Sequence, residues 1–285
     1  MEQAIIAAQF NGPDHSGNGG YVSGLIAAQL PGAAGARTSS LRKPPPLDLA
    51  LTWHHGDGTV SLIEPPDTVI GSAELGAFAD DVLSCPAPDV AQSGMDAYPG
   101  YHRHPFDRCF TCGTQREEGD GLRLFTGPID ESTVAAPWTP HRSFGDSDGR
   151  LSVPIMWAAL DCPGGWAADF NKQPIVLGRM TAEVFRLPGV SEPCLSVGGL
   201  QRVERQKFFT NTALYSVEGE LLGRAEQIWI GIDILNFPST STNFGSPFDN
   251  QTPLESSTRL QKLGSGIMGK CPTLKDRHSP SVATT

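Results

Sequence analysis

No apolar run approaches the roughly 18 residues that would suggest a membrane span, so a membrane-spanning helix is excluded at the level of sequence. Clustered Lys and Arg are also scarce: 21 basic residues face 31 acidic ones, and the net charge is −10. A duplex-binding surface needs basic clusters to displace counterions, so nucleic acid is excluded as a partner. Cysteine is sparse as well. Six in 285 residues cannot supply a disulfide scaffold, and they are read as thiols. The start, Met1-Glu2-Gln3-Ala4-Ile5-Ile6, puts an acid where an export signal wants a cation. A cytoplasmic protein without a membrane partner is the expectation.

What the chain does hold is enough hydrophobic residues, 39%, to bury a core, together with 32 Gly and 24 Pro that predict many turns. Residues 237–285 are rich in Ser, Thr, Pro, Gly and Asn with no lasting period, which predicts a disordered tail. That tail carries three acids against five bases, so the net −10 leaves −12 on residues 1–236. Residues 79–105 are dense in Pro and Gly and read as a linker between folded halves 1–78 and 106–236.

The two halves share landmarks in the same order. Asn18-Gly19-Gly20-Tyr21 corresponds to Cys162-Pro163-Gly164-Gly165-Trp166, and Gly71-Ser72-Ala73-Glu74 to Gly223-Arg224-Ala225-Glu226. This suggests an internal duplication. Each half reads as one apolar helix followed by strands. The helices are expected at 20–30 and 155–168, the second bent or restarted at Pro163. Alternating patterns predict strands at 38–41, 47–53, 59–63 and 69–75, then at 176–185, 195–203, 208–217 and 221–232. An α+β plan follows, in which an antiparallel sheet wraps each helix and the two sheets pair edge to edge.

Three segments resemble a known family. His15-Ser16-Gly17-Asn18-Gly19-Gly20 is similar to the His or Asn followed by Gly-Gly that opens the central helix of PaaI-like hotdog thioesterases. Cys109-Phe110-Thr111-Cys112-Gly113 with Gly121-Leu122-Arg123-Leu124 resembles the Cys-x-x-Cys-Gly…Gly-Leu entry of many PaaI-like proteins. Trp157-Ala158-Ala159-Leu160-Asp161 resembles the helical aspartate segment of the thioesterase II-like group, from which this chain departs in the Cys-Pro between Asp161 and Gly164. The resemblance covers residues 1–235. It implies a tandem (double) hotdog that hydrolyses acyl-CoA to free acid and CoA, with no cofactor, and association of such units into a homo-oligomer is possible on this plan.

The residues can support that chemistry. Asp161 stands in an apolar run, where a carboxylate is expensive unless it is paired or does work. Its working reading is general base or nucleophile; its structural reading is a helix cap. Backbone N–H groups at a helix start are orphaned and point toward negative charge, so Gly19, Gly20, Gly164 and Gly165 are oxyanion-hole candidates. Asn18 is either a cap or a polar helper, and Gln227, with Thr181 behind it, is the candidate for holding water by analogy with the thioesterase II-like group. Arg202, Arg205 and Lys207 form the best basic group for the phosphates of CoA, ahead of Arg37, Arg42 and Lys43. His102, His104, Cys109 and Cys112 do not make a standard zinc spacing, so no metal is expected. Two rival functions remain: an enoyl-thioester hydratase or dehydratase using His15 with Asp161, and a non-catalytic acyl-CoA-binding protein.

Overall fold

In the computed structural model, which describes residues 3–32 and 35–233, the alternating segments become strands of one antiparallel sheet. In chain order the elements are β1 (Gln3–Ile5), α1 (Gly19–Ala27), β2 (Arg37–Leu41), β3 (Ala50–His55), β4 (Thr59–Glu64), β5 (Thr68–Leu75) and α2 (Pro88–Asp96). Then come β6 (Gly127–Pro128), β7 (Thr133–Trp138), α3 (Val153–Ala167), β8 (Ile175–Val184), β9 (Cys194–Glu204), β10 (Lys207–Ser216) and β11 (Leu221–Gly231). The strand order is β1-β3-β4-β5-β2-β8-β11-β10-β9-β7-β6, with eleven strands among the described residues. The early strands and the late strands meet where β2 pairs with β8, Thr38 opposite Thr181 and Ser39 opposite Met180. That pairing consumes two strand edges that would otherwise invite association. The predicted tail, 237–285, lies outside the described residues.

α1 and α3 cover the same face of this sheet. α3 is buried all round, from Ile155 through Trp166, as expected for a helix that is apolar on every side. Pro154 sits in its first turn, where no N–H is needed. α1 crosses α3 closely because Gly20 and Gly24, one turn apart, face it. A Cβ on Gly20 would lie 2.4 Å from the Asp161 Cβ, and one on Gly24 2.6 Å from the Trp157 Cβ. Side chains from both helices and both groups of strands, including Val22, Ile26, Leu62, Trp157, Leu160 and Ala225, share one continuous core.

Two expectations need correction. The region 79–105 was expected to break helix and sheet, but it holds α2 and packs against the outer face of the sheet. Ala91 joins Ala135, Leu195, Val197, Ala213 and Tyr215 in a second small core there. Pro88 starts this helix instead of breaking it. The second correction concerns Pro163. α3 runs unbroken from Val153 to Ala167, so Gly164 and Gly165 lie inside a helix and not at a helix start. No helix among the described residues is long and apolar enough to cross a membrane.

Candidate active site

The crossing of α1 and α3 carries Asp161 to the start of α1. Gly20 N–H donates to Asp161 Oδ2 at 2.8 Å, across 141 residues of sequence. Asp161 is 2% exposed, and Oδ1 is buried with no protein partner. Burial pushes this carboxyl up to about 8; the Gly20 N–H and the Asn18 side chain oppose the rise, while the nearby Cys109 adds to it. Both protonation states are therefore within reach near neutrality, a condition that suits a general base.

Asn18 caps α1. Its Oδ1 accepts from Tyr21 N–H at 2.9 Å, and its Nδ2 points at the sulfurs of Cys109 and Cys162, 3.6 and 4.0 Å away. The Val22 N–H bonds the Asn18 carbonyl. Of the first N–H groups of α1, those of Gly20 and Tyr21 thus already serve Asp161 and Asn18.

Gln227 lies beneath the same turn of α3, and its amide is engaged on both sides. Nε2 donates to the Leu160 carbonyl at 2.7 Å and to Thr212 Oγ1 at 2.9 Å, while Oε1 accepts from Thr210 Oγ1 at 2.8 Å. Thr212 Oγ1 also donates to the Leu160 carbonyl, at 2.7 Å. Pro163 has no N–H for the Ala159 carbonyl, which loosens the helix at this point. The Gln227–Thr212 pair therefore fixes the backbone beside Asp161. Removing it with Gln227→Leu is expected to cost about 1–3 kcal/mol, read by denaturant unfolding, because Thr210 and Thr212 lose buried partners.

The second glycine pair serves packing. A Cβ on Gly164 would lie 2.5 Å from Thr210 Oγ1 and 2.7 Å from Gln227 Oε1, and one on Gly165 would enter the Phe170 ring. Inside α3 their N–H groups are spent on the helix ladder and do not form the expected oxyanion hole. Thr181 lines one cavity with Gln227 and Thr210. It pairs with Glu226 across the strands and bonds Thr38 Oγ1 at 2.8 Å on the outer face of the sheet, opposite α3. His15 is exposed in the turn before α1, whereas Asp161 is buried.

The basic residues are placed as follows. Arg202 ion-pairs with Glu204 at 2.8 Å and stacks its guanidinium 3.6 Å over the Phe209 ring. It helps line a cavity on the outer face with Arg179, Asn211 and Glu226. Arg205 and Lys207 are exposed at the tip of the β9–β10 hairpin. A second cavity joins Arg37 to Arg150 and Arg186 beside Val153 and Trp157 of α3, a grouping that sequence spacing did not reveal. Arg186 there is neutralised by Glu192 and Glu220, both at 2.7 Å. Neither cavity is lined by Asp161.

No family model and no curated protein matches the sequence. Solved structures do match the chain in three dimensions. A protein of unknown function with hot dog fold from Alicyclobacillus acidocaldarius superposes with a TM-score of 0.52 at 13% identity, covering 81% of this chain and 92% of its own. The fold is the hotdog fold. The tesB protein of Mycobacterium avium subs. paratuberculosis shares it at a TM-score of 0.51 and 10% identity, over 81% of this chain and 92% of that one. A candidate thioesterase II from Thermobifida fusca does so at 0.53 and 11% identity, again over 81% and 92%. α3, which carries Asp161, packs against β8, β9, β10 and β11 of this sheet.

Proposed function

We propose that this chain is a double hotdog that hydrolyses acyl-CoA thioesters, using Asp161 as the base. Support for the tandem reading comes from two helices on one sheet, with β1–β5 around α1 and β6–β11 around α3, joined at the β2–β8 pairing. The observation that carries the chemistry is the 2.8 Å bond from Gly20 N–H to Asp161 Oδ2. It fixes one carboxyl oxygen at the positive end of α1 and leaves Oδ1 to hold a water. In the reaction the thioester carbonyl lies over the start of α1, with Gly19 N–H donating to its oxygen. Asp161 takes a proton from the water as it attacks the carbonyl carbon. The tetrahedral intermediate then collapses, the C–S bond breaks, and the thiolate leaves with the proton Asp161 took. Asn18 and Gln227 position these parts. A base of this kind is worth about 10²- to 10⁴-fold.

The test is a thiol-release assay on short, medium, long and aryl acyl-CoAs. Hydration of an enoyl-CoA without free thiol would replace this reading with the hydratase, and binding without turnover would replace it with an acyl-CoA carrier. The hairpin-tip charges are proposed to meet the phosphates of CoA. Arg205→Glu with Lys207→Glu is expected to raise KM about tenfold with kcat unchanged. An unchanged KM would move the phosphate site elsewhere, to Arg37 and Arg150 first.

A further inference from the structure

The turn that carries Cys109 and Cys112 lays its sulfurs against α3. The Sγ atoms of Cys109, Cys112 and Cys162 all lie within 4.8 Å of one another, and those of Cys109 and Cys162 are 3.7 Å apart. All three residues are buried. Gly113 closes the turn: its N–H donates to the Cys109 carbonyl at 2.9 Å, and a Cβ there would lie 2.6 Å from the carbonyl oxygens of Asp107 and Cys109. A point equidistant from three atoms so spaced lies about 2.1–2.8 Å from each (the spacing divided by √3), which brackets the ~2.3 Å zinc–sulfur bond.

Asn18 supplies an independent observation. Its side chain is buried, and its Nδ2 lies 3.6 Å from the Cys109 sulfur and 4.0 Å from the Cys162 sulfur, on the side where it also meets the Asp161 carboxyl. A neutral thiol is a weak acceptor. Metal-bound thiolates are good acceptors, and donors to the ligating atoms are the usual outer partners of a metal site.

We propose that Cys109, Cys112 and Cys162 bind one thiophilic d¹⁰ metal ion, zinc(II) or copper(I), that stitches the Cys-x-x-Cys-Gly turn to α3. The thiols give up their protons to solvent as the ion binds. Among the described residues no histidine or carboxylate completes the group. His104 is near, but its Nδ1 accepts from Phe106 N–H at 2.9 Å and its Nε2 lies 3.1 Å from the Cys112 carbonyl. Three sulfurs suffice for copper(I), while zinc(II) adds a water as its fourth ligand. The expectation of no metal rested on a spacing that left out Cys162, which only the fold brings into place. The site adjoins Asp161 and shares Asn18 with it, but metal content is read without any activity assay.

The experiment measures metal content of the full chain, purified under reducing conditions without chelator. The metal-stripped protein is then titrated separately with zinc(II), copper(I) and cobalt(II). About one ion per chain is expected, with a sulfur-to-cobalt charge-transfer band in the cobalt arm and a lower melting temperature after stripping. The zinc and copper arms tell which ion binds more tightly. Cys112→Ser and Cys162→Ser should lose the ion, and Cys85→Ser and Cys194→Ser should keep it. The wild-type titrations decide even if the serine variants fail to fold. Free thiols with no stoichiometric uptake of zinc(II) or copper(I), or a Cys109–Cys162 disulfide in the isolated protein, would overturn the proposal.

Discussion

Asp161→Asn is expected to lower kcat for thioester hydrolysis by about 10²- to 10⁴-fold, with KM little changed. The substitution is nearly isosteric. The asparagine carbonyl can still accept from Gly20 N–H, so the contact between α1 and α3 survives. What disappears is the carboxylate oxygen that takes a proton from water in the proposed mechanism. Stability provides the control. Burial opposes the charged carboxylate, so its removal should leave the melting temperature equal or higher. A loss of activity with an unaltered or raised melting temperature assigns Asp161 to the chemistry. A folded Asp161→Asn protein with wild-type kcat would remove it from the mechanism.

Gly20→Ala is expected to give the largest loss of stability among conservative changes in α1. The new methyl would lie 2.4 Å from the Asp161 Cβ and 2.7 Å from the Trp157 carbonyl oxygen. Both belong to the buried stretch of α3, which has nowhere to retreat. Overpacking of this kind costs about 1–3 kcal/mol and occasionally more. Each kcal/mol lowers the melting temperature by about 2–4 °C in a domain of this size. Gly24→Ala should act in the same direction, against the Trp157 Cβ at 2.6 Å. Gly189→Ala, whose added methyl would meet nothing closer than 3.7 Å, should be nearly neutral. Equal stability of Gly20→Ala and Gly189→Ala would mean that the helices do not cross as closely as described.

The strands were legible because period-two alternation survives in sheets with one face on a core: 176–185 became Ile175–Val184, and 221–232 became Leu221–Gly231. Asp161 was legible because a charge in an apolar helix is costly. Its partner was not, since a contact between residues 141 positions apart depends on how two helices cross. α2 was hidden by its own proline and glycine. Pro88 occupies a first-turn position that needs no N–H, and Gly94 lets the helix approach β7, where a Cβ would lie 2.4 Å from the Ala135 carbonyl oxygen. Gly164 and Gly165 misled for the opposite reason. A Pro-Gly-Gly run resembles a helix start, yet the side chains of Gln227 and Thr212 bind the Leu160 carbonyl and hold the helix together through it. Gln227 itself, expected from analogy to hold water, has its amide committed to Leu160, Thr210 and Thr212, and the proposed mechanism uses it for positioning.

The most direct measurement is free-thiol release from a panel of acyl-CoAs by the 285-residue chain and by its Asp161→Asn variant, side by side at equal concentration. The account predicts CoA and free acid in equal amounts from the wild type on at least one member of the panel, and release reduced at least 100-fold in the variant, near the lower end of the usual range for a positioned base (~10²). Equal release by the two proteins, or none by the wild type on any acyl chain, would contradict it.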